Sequence, residues 1–287
     1  MYVLNDQEPA TGKLDVVFKN KDNGETFVAH QFYKLPMQIM PSYTQDSDGT
    51  AFLYMLNPSS GLLQYDRIKI SLELKEDAKA LVTTPSTNKI YRMDEDCATQ
   101  ITNIKLADNS VMEYLPEHNV PFKGSRYLQQ NNYYLEDSSK LIAWDIVTPG
   151  RKLCDEYFDF DFYFAETNLF IDGRRILCER TRLEPSINKE QFLHKYLSTG
   201  IYEGMDTAGT LIIYSQTDKS RLMDQLYDDC FVEFPRILWG ASIPCENLLV
   251  IKFLAENVLY MQDALAVVWN TVRKEILGKA AVKIRKV

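Results

Sequence analysis

Residues 57–92 read NPSSGLLQYDRIKISLELKEDAKALVTTPSTNKIYR and decide the predicted fold. After an opening cluster of turn residues, apolar and polar side chains alternate from Ile68 to Lys75. This alternation predicts a β-strand, because successive side chains of a strand point to opposite faces. A short acidic break then precedes a second predicted strand at 78–84. Two consecutive strands with a brief connection indicate a fold dominated by β-structure.

Polar groups stand at the ends of this strand pair. As adjacent strands, the two are predicted to present Asp66 at one end and a hydroxyl-rich loop, 83–89, at the other. Ser and Thr hydroxyls in such loops commonly hydrogen-bond to neighbouring backbone groups. The sequence alone therefore favours a loop that satisfies its own hydrogen bonds over a loop that binds a ligand.

The same strand signal recurs along most of the chain. Further strands are predicted at 12–20, 26–33, 37–43, 52–56, 98–106, 111–115, 126–135, 141–147, 157–164, 174–183, 211–214, 236–242 and 248–254. The clearest is 157–164, where four phenylalanines alternate with Tyr and Asp and are expected to join the core. Helical periodicity predicts helices at 187–197, 218–228 and 258–277, with Thr217 as the N-cap of the second. The pattern predicts a mainly β protein with helices late in the chain.

Composition and charge exclude several classes of protein. Apolar residues make up 45% of the 287 residues and charged residues 25%, which is ordinary for a globular protein. A net charge of -8 argues against a nucleic-acid-binding surface. Without a signal-peptide pattern or an apolar run of ~20 residues, we expect a cytoplasmic protein with no membrane association. Residues 1–11 are expected to be loosely ordered, and the basic tail 279–287 is expected to be solvated.

No local motif identifies a catalytic site or a tight metal site. His30, His118 and His194 stand in unrelated contexts, and the five cysteines form no C-x-x-C pair. These spacings disfavour a zinc site or a stable nickel site. Nucleophile-elbow, Walker and dinucleotide-binding motifs are also absent from the sequence.

Carboxylates are the remaining chemical resource. Asp155 and Glu156, together with Asp66, could supply a general acid and a general base. The alternative is a structural ion pair between Glu156 and Arg151 beside a turn. The sequence alone favours the ion pair, because paired charges near turns are mostly structural.

Several short motifs occur in a characteristic order along the chain. They are Gly61 with Asp66, Thr83-Thr84, the run 89–92 (KIYR), the run 113–116 (EYLP) with Pro121-Phe122, Gly150-Arg151 with Glu156, and Arg180 before Leu183. Together they resemble the urease accessory protein family UreD, also called UreH. The resemblance extends from Gly12 to the C-terminal helix. It implies a single domain, 1–287, with an elongated, β-helix-like arrangement of many strands and a few α-helices in the C-terminal third.

The resemblance also implies a function. UreD-like proteins are not known as enzymes. They bind apo-urease and, with UreF and the GTPase UreG, help deliver nickel to the urease active site. A polar passage through the protein is the implied route, with no tightly bound cofactor and only transient passage of nickel(II). Scattered oxygen ligands would hold the ion loosely, whereas a cluster of His or Cys would trap it.

Six motif positions are carried over as passage lining or loop support: Asp66, Thr84, Lys89, Arg151, Glu156 and Arg180. Among them, Asp66 and Glu156 are the hypothesised transient nickel contacts. The sequence departs from the family where Ser60, Tyr65 and Asp155 stand in place of usual glycines, and these larger residues alter the local width expected of any passage.

Two alternatives belong to other classes of protein. One is a β-solenoid enzyme that acts on polysaccharide with carboxylates as acid and base. The absence of a signal peptide and of a Trp-rich groove weighs against it. The other is a β-sandwich binding module, which the chain length and the three late helices disfavour.

Overall fold

Two β-sheets lie face to face in this protein. The computed structural model describes residues 8–59, 61–198, 201–229, 234, 236–280 and 282–284. One sheet has seven strands and the other eleven. The main apolar core lies between the sheets, and a second apolar cluster lies between the eleven-stranded sheet and two helices. The predicted mainly β, β-helix-like fold with helices late in the chain is confirmed, and the single-domain organisation stays a prediction.

Most strands lie close to their predicted bounds. In chain order they are β1 (Gly12–Asn20), β2 (Thr26–Lys34), β3 (Gln38–Ile39), β4 (Tyr43–Thr44), β5 (Ala51–Leu56), β6 (Arg67–Leu74), β7 (Lys79–Thr83), β8 (Asn88–Ile90), β9 (Ala98–Leu106), β10 (Val111–Leu115), β11 (Asn119–Pro121), β12 (Arg126–Leu135), β13 (Lys140–Val147), β14 (Phe162–Ile171), β15 (Arg174–Leu183), β16 (Thr207–Tyr214), β17 (Ile237–Cys245) and β18 (Leu248–Ala255). The helices are α1 (Lys189–Tyr196), α2 (Lys219–Asp229) and α3 (Val258–Leu277). The strand predicted at 37–43 is instead divided into β3 and β4.

Successive strands in the middle of the chain alternate between the two sheets, so that each pair makes one coil. β6, β9, β12 and β14 stack in parallel in the seven-stranded sheet. β7, β10 and β13 do the same in the other sheet. Tight turns at one end of the coils hydrogen-bond to each other, as from Asp77 N to Asp108 O (3.1 Å). Parallel stacking aligns equivalent positions of successive coils into rows that cross the sheet.

The two strands of the stretch 57–92 are not neighbours in one sheet, and this prediction is wrong. β6 lies in the seven-stranded sheet and β7 in the eleven-stranded sheet. Because the chain reverses between them, the start of β6 and the end of β7 meet at the same end of the coils. There, Leu62 N donates to Lys89 O (2.8 Å). Asp66 and the 83–89 loop therefore share one end.

The prediction of a strand at 157–164 is also wrong. β14 begins only at Phe162, and Phe158 has a left-handed backbone (φ 50°) that a regular strand excludes. Phe158 is buried in the main core, whereas Phe162 and Phe164 belong to a small separate cluster. Tyr163 points into the main core instead. The apolar alternation therefore predicted the wrong inward face for β14.

Two helix ends show how the local sequence defines each element. α3 occupies its predicted range and ends at Gly278, whose left-handed backbone (φ 63°) suits glycine. α2 begins after Asp218, whose carboxylate accepts from Ser220 N (2.9 Å). Asp218 and not Thr217 therefore serves as the N-cap. Both helices cover the outer face of the eleven-stranded sheet.

Both terminal segments make side-chain contacts where they are described. The first seven residues, residue 281 and the last three residues lie outside the described part of the chain. Glu8 pairs with Arg67 at 2.6 Å. The Lys279 side chain is only 8% exposed and lies 3.5 Å from Asp46. The tail is therefore not solvated at Lys279, contrary to expectation, because buried carboxylates compensate its charge.

A buried ion pair fastens α3 to the outer face of the eleven-stranded sheet. The side chains of Arg273 and Glu113 are both 0% exposed, and the two groups approach to 2.8 Å. The same carboxylate accepts from Trp269 Nε1 (2.7 Å), and Arg273 also pairs with Asp46. A buried charge is costly without its partner, so these groups stabilise the fold only as a set.

Removing one member of this set tests its structural role. Arg273→Met leaves the Glu113 carboxylate buried without its main charge partner, so we expect the free energy of unfolding to fall by about 3–5 kcal/mol. Adding Glu113→Gln removes the second charge while the amide oxygen still accepts from Trp269, and most of the loss should be recovered. Guanidinium titration followed by circular dichroism measures both variants.

The control for this experiment is Glu25→Gln, which breaks an exposed pair with Lys21. We expect no measurable change in stability, because solvent screens exposed ion pairs. Equal destabilisation of the single and double Arg273 variants would contradict the ion-pair account.

Candidate functional site: a polar passage between the sheets

A row of polar side chains crosses the apolar inner face of the seven-stranded sheet. Backbone register places Thr102 of β9, Asn131 of β12, Thr167 of β14 and Glu179 of β15 side by side. Two residues further along β9, toward the turns between coils, the inward-facing row is apolar. It includes Ile104, which lies in the main core. A polar row in this position is unusual, because buried polar groups are costly without hydrogen-bond partners.

A second polar row faces the first from the eleven-stranded sheet. Asp145 of β13 is paired with Thr210 of β16, and Thr210 is paired with Lys252 of β18. Ala143 and Ile212, two positions away on the first two strands, belong to the main core. Because strand side chains alternate, Asp145, Thr210 and Lys252 also face inward. We call the space between the two rows the interlayer passage.

Two cavities occupy the interlayer passage and share Asp145. The larger has a volume of about 310 Å³ and extends to the loop at Thr84. Its wall also includes Gln100, Glu117, Asn119, Gln129 and Asn131. The smaller, about 20 Å³, is lined by Asp145, Thr167, Glu179 and Thr210. At ~30 Å³ per molecule, the cavities have room for on the order of ten water molecules and one water molecule, respectively.

Among the described residues, Asp145 is the one that lines both cavities. Its Oδ1 accepts from Asn119 Nδ2 (3.2 Å), and the same amide donates to Gln129 Oε1 (3.1 Å). The Asp145 side chain is half-buried and lines both cavities. Burial raises the pKa of the Asp145 carboxyl above its usual value, because the protein interior disfavours the charged form. A cation beside it would favour that form again.

Buried phenols add further polar groups near Asp145. The Tyr163 hydroxyl accepts from Asn119 Nδ2 (3.0 Å). The Tyr127 hydroxyl interacts electrostatically with Asp145. Burial raises the pKa of both phenols well above the usual value.

Of the six positions carried over from the family resemblance, Thr84 lines the larger cavity. Its Oγ1 accepts from Glu117 N (2.9 Å). Asp66 closes a turn, where its Oδ2 accepts from Leu63 N (2.7 Å). Lys89 lies on β8 and contributes its backbone carbonyl to the contact between coils. The nickel contact at Asp66 stays a prediction.

Arg151 and Glu156 form the ion pair that the sequence alone favoured. Arg151 Nε donates to Glu156 Oε2 (2.8 Å), and this hydrogen bond lowers the pKa of the Glu156 carboxyl. Arg180 lies apart from them, on the outer face of β15, where its Nε donates to Glu166 Oε2 (2.6 Å). The nickel contact at Glu156 stays a prediction.

Two departures from the family glycines occupy backbone conformations that favour glycine. Tyr65 (φ 67°) and Asp155 (φ 59°) are both left-handed, a region that glycine enters without steric cost. Both side chains are exposed, and the Tyr65 hydroxyl donates to Glu95 Oε2 (2.7 Å). Neither side chain lines the two cavities. Ser60, the third departure, lies outside the described residues.

Sequence reasoning missed most of the residues of the interlayer passage. Asp145 interrupts the apolar run LIAWDIV, at a position in phase with the inward Leu141 and Ala143. Thr102 and Asn131 stand in phase with inward residues in the same way. A polar residue at a position where strand periodicity requires an apolar one is the signal that would have found them.

The described residues contain neither a cluster of metal ligands nor a membrane-spanning helix. No group of three or more His, Cys, Asp or Glu residues among them could hold a metal ion. In the same part of the chain, no helix combines the length and the apolarity that crossing a membrane requires.

Known proteins resemble this chain over nearly its whole length. The model of the family described as UreD urease accessory protein matches residues 10–286. The chain is 26% identical over 276 residues to the urease accessory protein UreD of Lachnoclostridium phytofermentans, which covers 96% of this chain and 98% of that protein. It is 28% identical over 267 residues to the UreD of Bacillus sp. strain TB-90 (93% and 95% covered). It is 29% identical over 283 residues to the UreD of Herpetosiphon aurantiacus (96% and 94% covered). On this evidence, the chain belongs to the UreD urease accessory protein family.

Proposed function

We propose that the chain is a non-catalytic scaffold and metallochaperone for urease, and that it conducts nickel through the interlayer passage. It binds apo-urease together with UreF, and UreG through UreF. The observation that carries the proposal is Asp145, a half-buried carboxylate that lines both cavities between the facing polar rows. Nickel is the cargo and is not retained.

The chemistry of the lining suits a transient ion. Amide, hydroxyl and carboxylate oxygens line the larger cavity, including those of Gln129, Asn131 and Asp145. Imidazole and thiolate ligands bind Ni²⁺ more firmly than such oxygen ligands do. A cavity with room for on the order of ten water molecules lets the ion keep part of its hydration shell. Asp145 supplies the negative charge that compensates for the water lost on entry.

The names of the relatives support urease as a partner, and UreF and UreG come from the family resemblance. Those named above are urease accessory proteins by name, and each aligns with this chain over nearly its full length. A protein without retained metal or catalysis contributes to urease maturation only within a complex. Apo-urease, UreF and UreG are therefore the partners that we propose.

Asp145→Asn tests the passage directly. The substitution keeps the size of the side chain and removes its charge. We expect the nickel content and the activity of urease to fall by about tenfold, since removing a charge at contact distance costs on the order of 1–4 kcal/mol. The measurement is the metal content of urease purified from cells that express a urease operon with the variant. Co-purification of the chain with its partners should be unchanged.

Asp224→Asn is the matched control, because Asp224 lies exposed on α2 and away from the cavities. It should leave nickel loading unchanged. Normal loading with Asp145→Asn would rule out a role for this carboxylate in transport. Loss of the complex together with loading would show a structural role for Asp145.

The pH dependence of stability gives an independent measurement. The raised pKa of Asp145 means that the folded protein binds more protons than the unfolded chain between about pH 4 and the folded pKa, so stability falls as pH rises through that window. Asp145→Asn removes this loss, and we expect the variant to gain stability over the wild type toward neutral pH. Thermal unfolding across the pH range measures the difference.

Glu156→Gln provides the opposite case. In the wild type, the lowered pKa of the Glu156 carboxyl stabilises the folded protein above about pH 4.3, the pKa in the unfolded chain. This stability is lost as pH falls through the folded pKa. This variant should lose stability relative to the wild type near neutral pH. The same sign for both variants would contradict the assignment of Asp145 as a carboxylate held at a cost to the fold.

A further inference from the structure

One ion pair joins the two sheets at the edge of the interlayer passage. Glu179 lies on β15, the terminal strand of the seven-stranded sheet, and Lys252 lies on β18 of the other sheet. Lys252 Nζ donates to the Glu179 carboxylate. The Lys252 side chain is 57% exposed and the Glu179 side chain 25%. The pair therefore stands where the passage meets solvent.

We propose that this ion pair closes the edge of the passage, and that a divalent cation arriving from Asp145 opens it by displacing the Lys252 ammonium from Glu179. The inference rests on the proposed function and concerns the exit of the nickel ion from the passage. No covalent bond changes. Glu179 exchanges one cation for another, and Lys252 turns into solvent with its proton retained.

The narrow part of the passage has carboxylates in its wall. Asp145 and Glu179 both line the smaller cavity, about 20 Å³, and this volume has room for about one water molecule. A divalent cation crossing it sheds most of its hydration shell. Asp145 and Glu179 flank the constriction, with the hydroxyls of Thr167 and Thr210 between them. Glu179 becomes available to the ion once Lys252 has left.

Lys252 occupies an inward-facing position of β18, and the neighbouring inward-facing residues of this strand are apolar. Val250 lies in the main core, and Leu254 packs against it. An ammonium at the end of the row neutralises Glu179 while no ion is present. It also competes with a bound cation for that carboxylate. Competition of this kind favours release of the ion, whereas two unpaired carboxylates across a constriction would retain it.

The same strand offers a matched control. Arg180 follows Glu179 directly and points to the opposite face of β15. It forms a cross-strand ion pair with Glu166. Arg180→Gln therefore breaks an ion pair of the same strand without altering the interlayer passage.

The first test measures access to the passage in the full-length chain. Thr210→Cys places a thiol on the wall of the smaller cavity, and an uncharged thiol reagent with site-resolved mass spectrometry reports its labelling rate. Adding Lys252→Ala should accelerate labelling by up to about fivefold, the factor that corresponds to the ~1 kcal/mol upper range of an exposed ion pair. Arg180→Gln should leave the rate unchanged. Equal rates with and without Lys252→Ala overturn the proposal, and Thr167→Cys provides a second labelling position if Thr210→Cys does not fold.

The second test measures competition between the two cations. Titration of the full-length chain with Ni²⁺ alone should show binding tightened by up to about fivefold in Lys252→Ala, again the range of one exposed ion pair. Glu179→Gln in the same background should remove the gain. No tightening, or tightening that survives Glu179→Gln, contradicts the displacement.

The two proposals fail separately. If labelling and Ni²⁺ binding respond as expected but Asp145→Asn does not change the nickel content of urease, the proposed closure is supported and the proposed function is contradicted. If the nickel content of urease depends on Asp145 but Lys252→Ala does not change the labelling rate, the proposed function is supported and the proposed closure is contradicted.

Discussion

In-register stacking of successive coils is the constraint on which the interior depends. Parallel strands place equivalent side chains side by side, so one polar residue at the same inner position of each strand becomes a continuous row. Thr102, Asn131 and Thr167 align in this way on β9, β12 and β14. A slip of one residue in any coil would turn its side chain to the outer face and interrupt the row.

The polar rows are tolerated because apolar layers enclose them. Toward the coil turns, the inward positions return to residues such as Ile104 and Leu169 in the main core. Outside the eleven-stranded sheet, the buried pair of Arg273 and Glu113 fastens α3 over a second apolar cluster. Interior polar groups then need partners, and water in the larger cavity can supply them. The fold gives up some apolar packing between its sheets and gains a polar interior, which the proposed passage of an ion requires.

Local periodicity accounts for much of the fold but not for the site. Strands such as β9 and β12, and the helix α3, follow from it because their buried faces repeat at regular intervals. The strand at 157–164 fails because the left-handed backbone at Phe158 interrupts a pattern that looks regular in sequence. Asp145 and Glu179 lie on opposite sheets and come together only where the sheets pack face to face, which no local pattern reports. Thr84 was reached through the family resemblance, since its loop is a family motif.

Anomalous X-ray scattering at the nickel edge, from crystals of the chain exposed to Ni²⁺, would locate the ion directly. If the interlayer passage conducts nickel, the strongest peak lies between the two polar rows and within coordinating distance of the Asp145 carboxylate. Peaks confined to carboxylates outside the passage, such as Asp66 or Glu156, with none between the sheets, would contradict a route through the interior.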